Sequence, residues 1–412
     1  MRDRGFRGYF ATRQTLYKRL DEPAPGRIQM LTGPRQVGKT TILLEIARDY
    51  GEHALYLAAD APEASLPRWW LTQWERALQM ARAGKSILIV DEVHALPNWS
   101  RLIKAAIDEV YRERLPLHLV ISGSAALPIA GGARESMAGR FEHLTLRHWT
   151  VRDLVAAFDL SEEHAAEIYV RFGAFPGSLQ WITDLPRWRV YLREAIIDAA
   201  INRDLLMLET IRKPALLRQV FAICLGHPSE VVSLRKIAGI LLEAGALETI
   251  AHYLNLLSEA YLVTVLPKFS TAEIRQRASP PKLVPLSNAF LAVVAEDEPP
   301  RATVDPRRWG HWLENACIAR AVNAGYRVSY WREEPLEVDM VVAGADGKWA
   351  IEVKAGEFTS HDLVGVMQFS SRHREYRPLV IGREPFHTIA AKTGVAFLRW
   401  QDFLLDGLAS VR

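Results

Sequence analysis

The chain has 412 residues, too many for one ordinary hydrophobic core, so two to four domains are expected. Hydrophobic residues make up 49% and charged residues 24%, which excludes a largely disordered or collagen-like chain. With 51 Lys and Arg against 48 Asp and Glu, the net charge of +3 names no polyanionic partner, and no apolar run approaches the roughly eighteen residues of a membrane span.

Residues 1–26 read as a basic N-terminal arm. Arg2, Arg4, Arg7, Arg13, Lys18 and Arg19 face a single acid, Asp3, within the first twenty residues, a local charge of +5 that suits phosphates or a solvated segment equally. From 27 to 150, short apolar strands alternate with helical stretches, the pattern of a parallel sheet covered by helices. The strands are expected at Ile28–Leu31, Ala54–Leu57, Ile87–Val90 and Leu117–Ile121. Residues 151–210 read as mainly helical, broken by a turn at Gly173-Ala-Phe-Pro-Gly177. From 211 to 285, Ser233 is expected to cap a helix through Leu234, Ile237 and Ile240. A second helix follows through Ile250, Tyr253, Leu254 and Leu257, then the strand Leu262–Leu266. That order fits a winged helix-turn-helix, with Arg235, Lys236 and His252 as candidate phosphate contacts. Past the Pro-containing stretch Ser279–Pro285 comes a linker around Glu296–Pro300. The last unit, within 286–412, has a helix through Trp312 and Ala316 and strands at Val328–Tyr330, Val338–Val342 and Trp349–Val353. Two cysteines, Cys224 and Cys317, make neither a disulfide framework nor a Cys-based zinc site. Together with an N-terminus lacking the apolar core of a secretory signal, they point to a cytoplasmic location.

The segment Gly33-Pro34-Arg35-Gln36-Val37-Gly38-Lys39-Thr40, followed by Thr41, matches G-x-x-x-x-G-K-[ST] between an apolar strand and a helical run. Such a loop aims backbone N–H groups and a helix N-terminus at phosphates, with Lys39 reaching the outer ones and the Thr40 hydroxyl serving Mg²⁺. Downstream, Ile87–Val90 delivers Asp91 and Glu92 to a strand's C-terminal end, where open α/β sheets bind ligands. Asp91 is expected to hold Mg²⁺ with Thr40, and Glu92 to polarise the attacking water. Ser122 and Ser124, ending the next strand, are candidates for sensing the γ-phosphate. Arg134 and Arg140 are candidates for stabilising charge across a subunit interface or, alternatively, for surface salt bridges. His94 is read as packing or contacting the loop rather than ligating metal.

Leu31–Thr41, Val90–Trp99, Ser122-Gly-Ser124 and Ser136-Met-Ala-Gly-Arg140, with Tyr169–Pro176 and Asn202–Leu205, together resemble the bacterial and archaeal AAA+ superfamily ATPases whose C-terminal half is a domain of unknown function. The resemblance covers nearly the whole chain, though Ala174 stands where a second Gly is expected. It implies an α/β chain with a P-loop AAA+ core, a helical lid, a winged helix and a C-terminal PD-(D/E)xK nuclease-like α/β domain. Assembly as a ring, a hexamer by likeness to AAA+ proteins, is implied as well.

The C-terminal unit carries a pattern of its own. Asp339 lies on an apolar strand, and Glu352 and Lys354 share one face of the next, since strand side chains repeat every two residues. Asp339 and Glu352 are candidate Mg²⁺ ligands, Lys354 a group that orients water, Glu314 a third acid and Gln368 a pocket-lining residue. An E-x-K triplet is also common as alternating surface charge. Cofactors are therefore expected to be ATP and Mg²⁺, and partners to be DNA and further copies of the chain. The leading reading is an ATP-hydrolysing protein that moves or remodels DNA. The alternatives are an ATP-gated binding or signalling module with a silent C-terminal pocket, and an ATP-licensed, Mg²⁺-dependent DNase.

Overall fold

A computed structural model describes residues 8–22, 26–124, 139–205, 211, 213–241, 246–270 and 279–411. The chain divides into two compact units. One comprises Tyr9–Arg147 with Ala199–Ile211, and the other comprises His148–Asp198 with the chain from 213 onward. The stretch expected as a lid, 151–210, is thus shared between the two units.

The first unit opens with helix α1 (Tyr9–Asp21), which buries Tyr9, Thr12, Leu16 and Leu20 at helical spacing. Part of the expected basic arm is therefore a packed helix: Arg13 Nε lies 2.5 Å from Glu45 Oε2, and Arg19 donates to Gln29. Arg2, Arg4 and Arg7 lie outside the described residues. Then come β1 (Ile28–Gly33), α2 (Lys39–Tyr50), β2 (Ala54–Ala58), α3 (Trp69–Ala83), β3 (Ser86–Asp91), α4 (Trp99–Glu113), β4 (Leu117–Ser124) and β5 (Phe141–Thr145). All five strands are parallel, in the order β2-β3-β4-β1-β5. β1 and β3 are buried along their whole length, which is why they read as continuous apolar runs rather than alternating ones. Trp74, Trp99, Ile103 and Ile107 pack on the sheet, so Trp74 and Trp99 are core residues. β5 has no counterpart in the sequence reading, because its half-buried, polar run Phe141-Glu-His-Leu-Thr145 lies at the sheet edge.

The second unit begins with helices Val151–Phe158 and Glu162–Phe172. The first is held by a Thr150–Asp153 capping box, and the second ends at Gly173, where the turn was expected. Helix Leu234–Ile240, capped by Ser233, and helix Leu247–Glu259 lie in the chain between the first and second strands of a small antiparallel sheet, whose strand order is β6 (Glu230–Val231), β8 (Lys282–Pro285), β7 (Val263–Leu266). Two differences stand out downstream. The Pro-containing stretch supplies β8, the central strand of that sheet, and Asn288–Val294 forms a helix with Asn288, Ala289, Phe290 and Leu291 buried. Helix Pro306–Asn323 then leads into a five-stranded sheet, β13-β12-β11-β10-β9. Its members are β9 (Arg327–Glu333), β10 (Leu336–Gly344), β11 (Gly347–Val353), β12 (Arg377–Gly382) and β13 (Ala396–Arg399). The first three are antiparallel and the last pairings parallel. A buried amide network joins the helices: Asn288 donates to the Val170 and Trp312 carbonyls and accepts from Asn315 Nδ2 at 2.8 Å. Among the described residues, no helix is long and apolar enough to cross a membrane.

Candidate functional site

The glycine-rich loop runs from the end of β1 into α2, at the C-terminal edge of the parallel sheet. Gly33 cannot carry a side chain, because a Cβ there would collide with the Leu146 carbonyl. Gly38 adopts φ 95°, and a Cβ there would stand 2.7 Å from the Tyr9 ring. Val37 is buried and anchors the loop, while Gln36 turns through φ 60° and is exposed. The N-cap of α2 is Gly38, which has no side chain to cap the helix, and the first turn carries Lys39 and the exposed Thr40 and Thr41. Lys39 is buried, and its Nζ donates to the Gly33 and Pro34 carbonyls at 3.1 and 2.9 Å, which curls the loop around the ammonium.

Asp91, at the end of β3, is the hub of the site. Its Oδ2 accepts from Thr40 Oγ1 at 2.7 Å and from the Tyr56 hydroxyl at 2.9 Å, and its Oδ1 accepts from Ser122 Oγ. The Glu92 N–H donates to Ser122 Oγ at 3.2 Å and to Asp91 Oδ1 at 3.1 Å. Ser122 therefore orients the two acids relative to each other. Burial and the Asp91 carboxylate together push the Tyr56 hydroxyl pKa well up, so it stays a donor. Glu92 sits in the left-handed region at φ 50°, and its Oε2 lies 3.3 Å from His94 Nδ1. A cavity of about 1160 Å³ opens on this side, with Arg35, Asp60, Arg68, Trp69, Glu92 and His94 in its lining. The Thr40 hydroxyl and Asp91 carboxylate, 2.7 Å apart beside the loop, are a donor set that fits Mg²⁺ when phosphate oxygens and water supply the rest.

Thr40, Asp91, Glu92 and Lys39 are thus brought together, with Tyr56 and Ser122 added as partners of Asp91. Tyr56 gave no motif signal, since a Tyr in a short strand reads as core. The Ser124 side chain and Arg134 lie outside the described residues. Arg140 stands at the start of β5, beside Ile28, at the opposite edge of the sheet, about 17 Å along the strand from the loop. Its guanidinium donates to Asp108 at 2.8 and 3.4 Å, so it does not serve the loop of its own chain.

In the second unit, Glu314 (helix Pro306–Asn323), Asp339 (β10) and Glu352 and Lys354 (at the end of β11) come together around a residue the sequence reading passed over. Lys282, on β8, has a side chain only 2% exposed, and its Nζ donates to Glu314 Oε1 at 2.8 Å and to the Asp339 carbonyl at 3.2 Å. Asp339 Oδ1 is 3.7 Å from the same ammonium, and Asp339 Oδ2 accepts the Val353 N–H at 2.8 Å. Glu352 Oε1 pairs with Lys354 Nζ at 2.9 Å. Burial and the neighbouring Asp339 raise the Glu314 carboxyl to about 7 even against the pull of Lys282. Burial raises Glu352 as well, again with Asp339 adding to it. Burial alone would lower the Lys282 pKa, but Glu314 and Asp339 more than reverse it. Gln368 is half-buried on helix Val364–Arg372, and among the described residues no side-chain hydrogen bond joins it to these acids. As these residues stand they do not fit Mg²⁺: an ammonium fills the ground between the Glu314 and Asp339 carboxylates. Among the described residues no three His, Cys, Asp or Glu side chains are grouped to hold a metal ion.

Residues 25–155 match the family model described as AAA domain. Over those residues the chain is similar to an AAA domain, and its parallel five-stranded sheet, with the glycine-rich loop between β1 and α2, matches a P-loop core. Residues 163–300 and 309–387 match two further models, each described as a domain of unknown function (DUF8612 and DUF4143). Uncharacterized proteins of Mycobacterium tuberculosis and Mycobacterium bovis are each 27% identical over 337 residues, 79% of this chain and 70% of theirs. Among solved structures, the Thermotoga maritima RuvB Holliday junction branch migration motor aligns at TM-score 0.34 and 17% identity, over 63% of this chain and 90% of that one. A katanin chain aligns at TM-score 0.28 and 17% identity, over 40% of this chain and 55% of its own length. At those scores the likeness carries no weight for function.

Proposed function

We propose that this protein is an ATP-hydrolysing enzyme whose AAA domain drives movement or remodelling of DNA. The observation that carries the ATPase reading is the cluster at the sheet edge, where Lys39, Thr40, Asp91 and Glu92 meet and Ser122 fixes the two acids. ATP binds with its phosphates in the loop from Gly33 to Thr41, neutralised by Lys39. Mg²⁺, held by Thr40 and Asp91, would withdraw charge from the phosphates. Glu92 accepts a proton from the attacking water, and His94 Nδ1 stands 3.3 Å from its carboxylate. Arg140 belongs to the reaction only if it reaches a neighbouring copy's site in a ring, a hexamer in this proposal.

Support for DNA as the partner lies in the second unit. Helix Leu234–Ile240, helix Leu247–Glu259 and the three-stranded sheet follow the winged helix-turn-helix order, with Arg235 and Lys236 exposed. A nuclease-like C-terminal domain fits a role in holding DNA. That Asp339, Glu352 and Lys354 lie at adjoining ends of β10 and β11 supports the PD-(D/E)xK reading. The Lys282 ammonium among these acids favours a silent pocket over a DNase, and so keeps the ATP-gated binding module as the second reading.

ATPase assays with linear, forked and four-way DNA, each beside a DNA-free control, test this reading. Stimulation of turnover by DNA supports it, whereas turnover indifferent to every DNA form favours the gated module.

A further inference from the structure

Lys282 sits where chain-local logic would not put it. Its backbone is the middle strand of the small sheet, opposite Val231 on one side and Leu266 on the other, between Pro281 and Pro285. Its side chain, almost wholly buried, leaves that sheet and ends among Glu314, Asp339 and Glu337, at 2.8, 3.7 and 3.9 Å. Taking an ammonium out of water is tolerated only where anions and acceptors replace its hydration. Here the Glu314 carboxylate and the Asp339 carbonyl accept from the ammonium, and the Asp339 carboxylate, 3.7 Å away, adds a second negative charge.

We propose that Lys282 is a built-in counter-cation that takes the place of a divalent metal in the C-terminal acid cluster, stapling the small sheet to the five-stranded sheet. Three observations converge on it. The Glu314 and Asp339 oxygens stand at ammonium distances from Nζ, whereas Mg²⁺ or Mn²⁺ would need them drawn in to about 2.0–2.2 Å. Two further oxygens are engaged as well, Asp339 Oδ2 by the Val353 N–H and Glu352 Oε1 by Lys354. Finally, a divalent ion could enter only by expelling Lys282, which would strand a buried ammonium on a strand hydrogen-bonded on both sides. Lys282 plays this part whatever the AAA domain acts on, so failure of the DNA reading leaves it standing.

The test is Mn²⁺ binding to the full-length, nucleotide-free protein, followed by electron paramagnetic resonance titration in four forms: wild type, Asp339→Asn, Lys282→Met and the double variant. Wild type and Asp339→Asn are expected to bind Mn²⁺ identically, because whatever they bind lies elsewhere. Lys282→Met, which keeps the length of the stem, is expected to gain one Mn²⁺ with affinity at least tenfold above background, lost again in the double variant. A wild-type Mn²⁺ site that Asp339→Asn removes would overturn the proposal. So would a folded Lys282→Met protein that gains none. Should Lys282→Met fail to fold, the wild-type and Asp339→Asn pair still decides the matter.

Discussion

Two serines in the first unit are equally buried and are expected to respond oppositely to loss of their hydroxyls. Ser122 Oγ donates to Asp91 and accepts the Glu92 N–H, whereas Ser86 Oγ, on the neighbouring strand, has no hydrogen-bond partner among the described residues. Ser122→Ala removes a hydrogen bond to a buried carboxylate, at about 1.5–3 kcal/mol, and a weaker one from Glu92. The total is about 2–4 kcal/mol, or about 4–16 °C in melting temperature for a unit of this size. Ser86→Ala removes only an unsatisfied group and is expected to be neutral or slightly stabilising. Hydrogen exchange of the β3 and β4 amides, read beside thermal melting of the full chain, localises the effect. Turnover should fall with stability in Ser122→Ala, because Asp91 and Glu92 lose their common anchor. If the two variants differ by less than about 1 kcal/mol, Ser122 is not the residue that organises Asp91 and Glu92.

Glu92→Gln is expected to keep ATP affinity while slowing turnover about 10²–10⁴-fold, and equal loss of both would count against Glu92 as the base. Arg140→Ala should change stability by no more than about 1 kcal/mol, since its pair with Asp108 is partly exposed. A large fall in turnover with ATP affinity intact, seen only at concentrations where copies assemble, would place it in a neighbour's site, and unchanged turnover would remove it from catalysis. Asn288→Ala breaks three buried hydrogen bonds and should destabilise the second unit by about 3–5 kcal/mol, measured by denaturant melting; a loss below about 1 kcal/mol would mean the network relaxes at little cost.

The first unit was largely legible in the sequence because its signals are local. Fully buried parallel strands leave unbroken apolar runs, and the loop that cradles phosphates needs Gly33, Gly38, Lys39 and Thr40 at fixed spacing. Elements at the margin escaped: β5 is half-exposed and polar, and α1 hides a regular buried stripe beneath a basic surface. β8 escaped because prolines at 281 and 285 mark a boundary in sequence yet bracket a central strand in space. Lys282 could not have been found by spacing at all. The acids that define it, Glu314 and Asp339, lie 32 and 57 residues downstream, so its role exists only once the small sheet and the larger one are assembled. The positions of Asp339, Glu352 and Lys354 were readable from strand alternation. The ammonium they share the pocket with, which changes the pocket's chemistry, was not.

Calorimetric titration of Mg²⁺ and ATP into wild type and Lys39→Ala puts the nucleotide site to its most direct test. The wild type should bind with a dissociation constant in the micromolar range, and Lys39→Ala should weaken it at least about tenfold, the loss of one charge-assisted hydrogen bond to phosphate. A wild-type protein that takes up no ATP with magnesium present, or a Lys39→Ala variant that binds as well as its parent, would contradict the site as described.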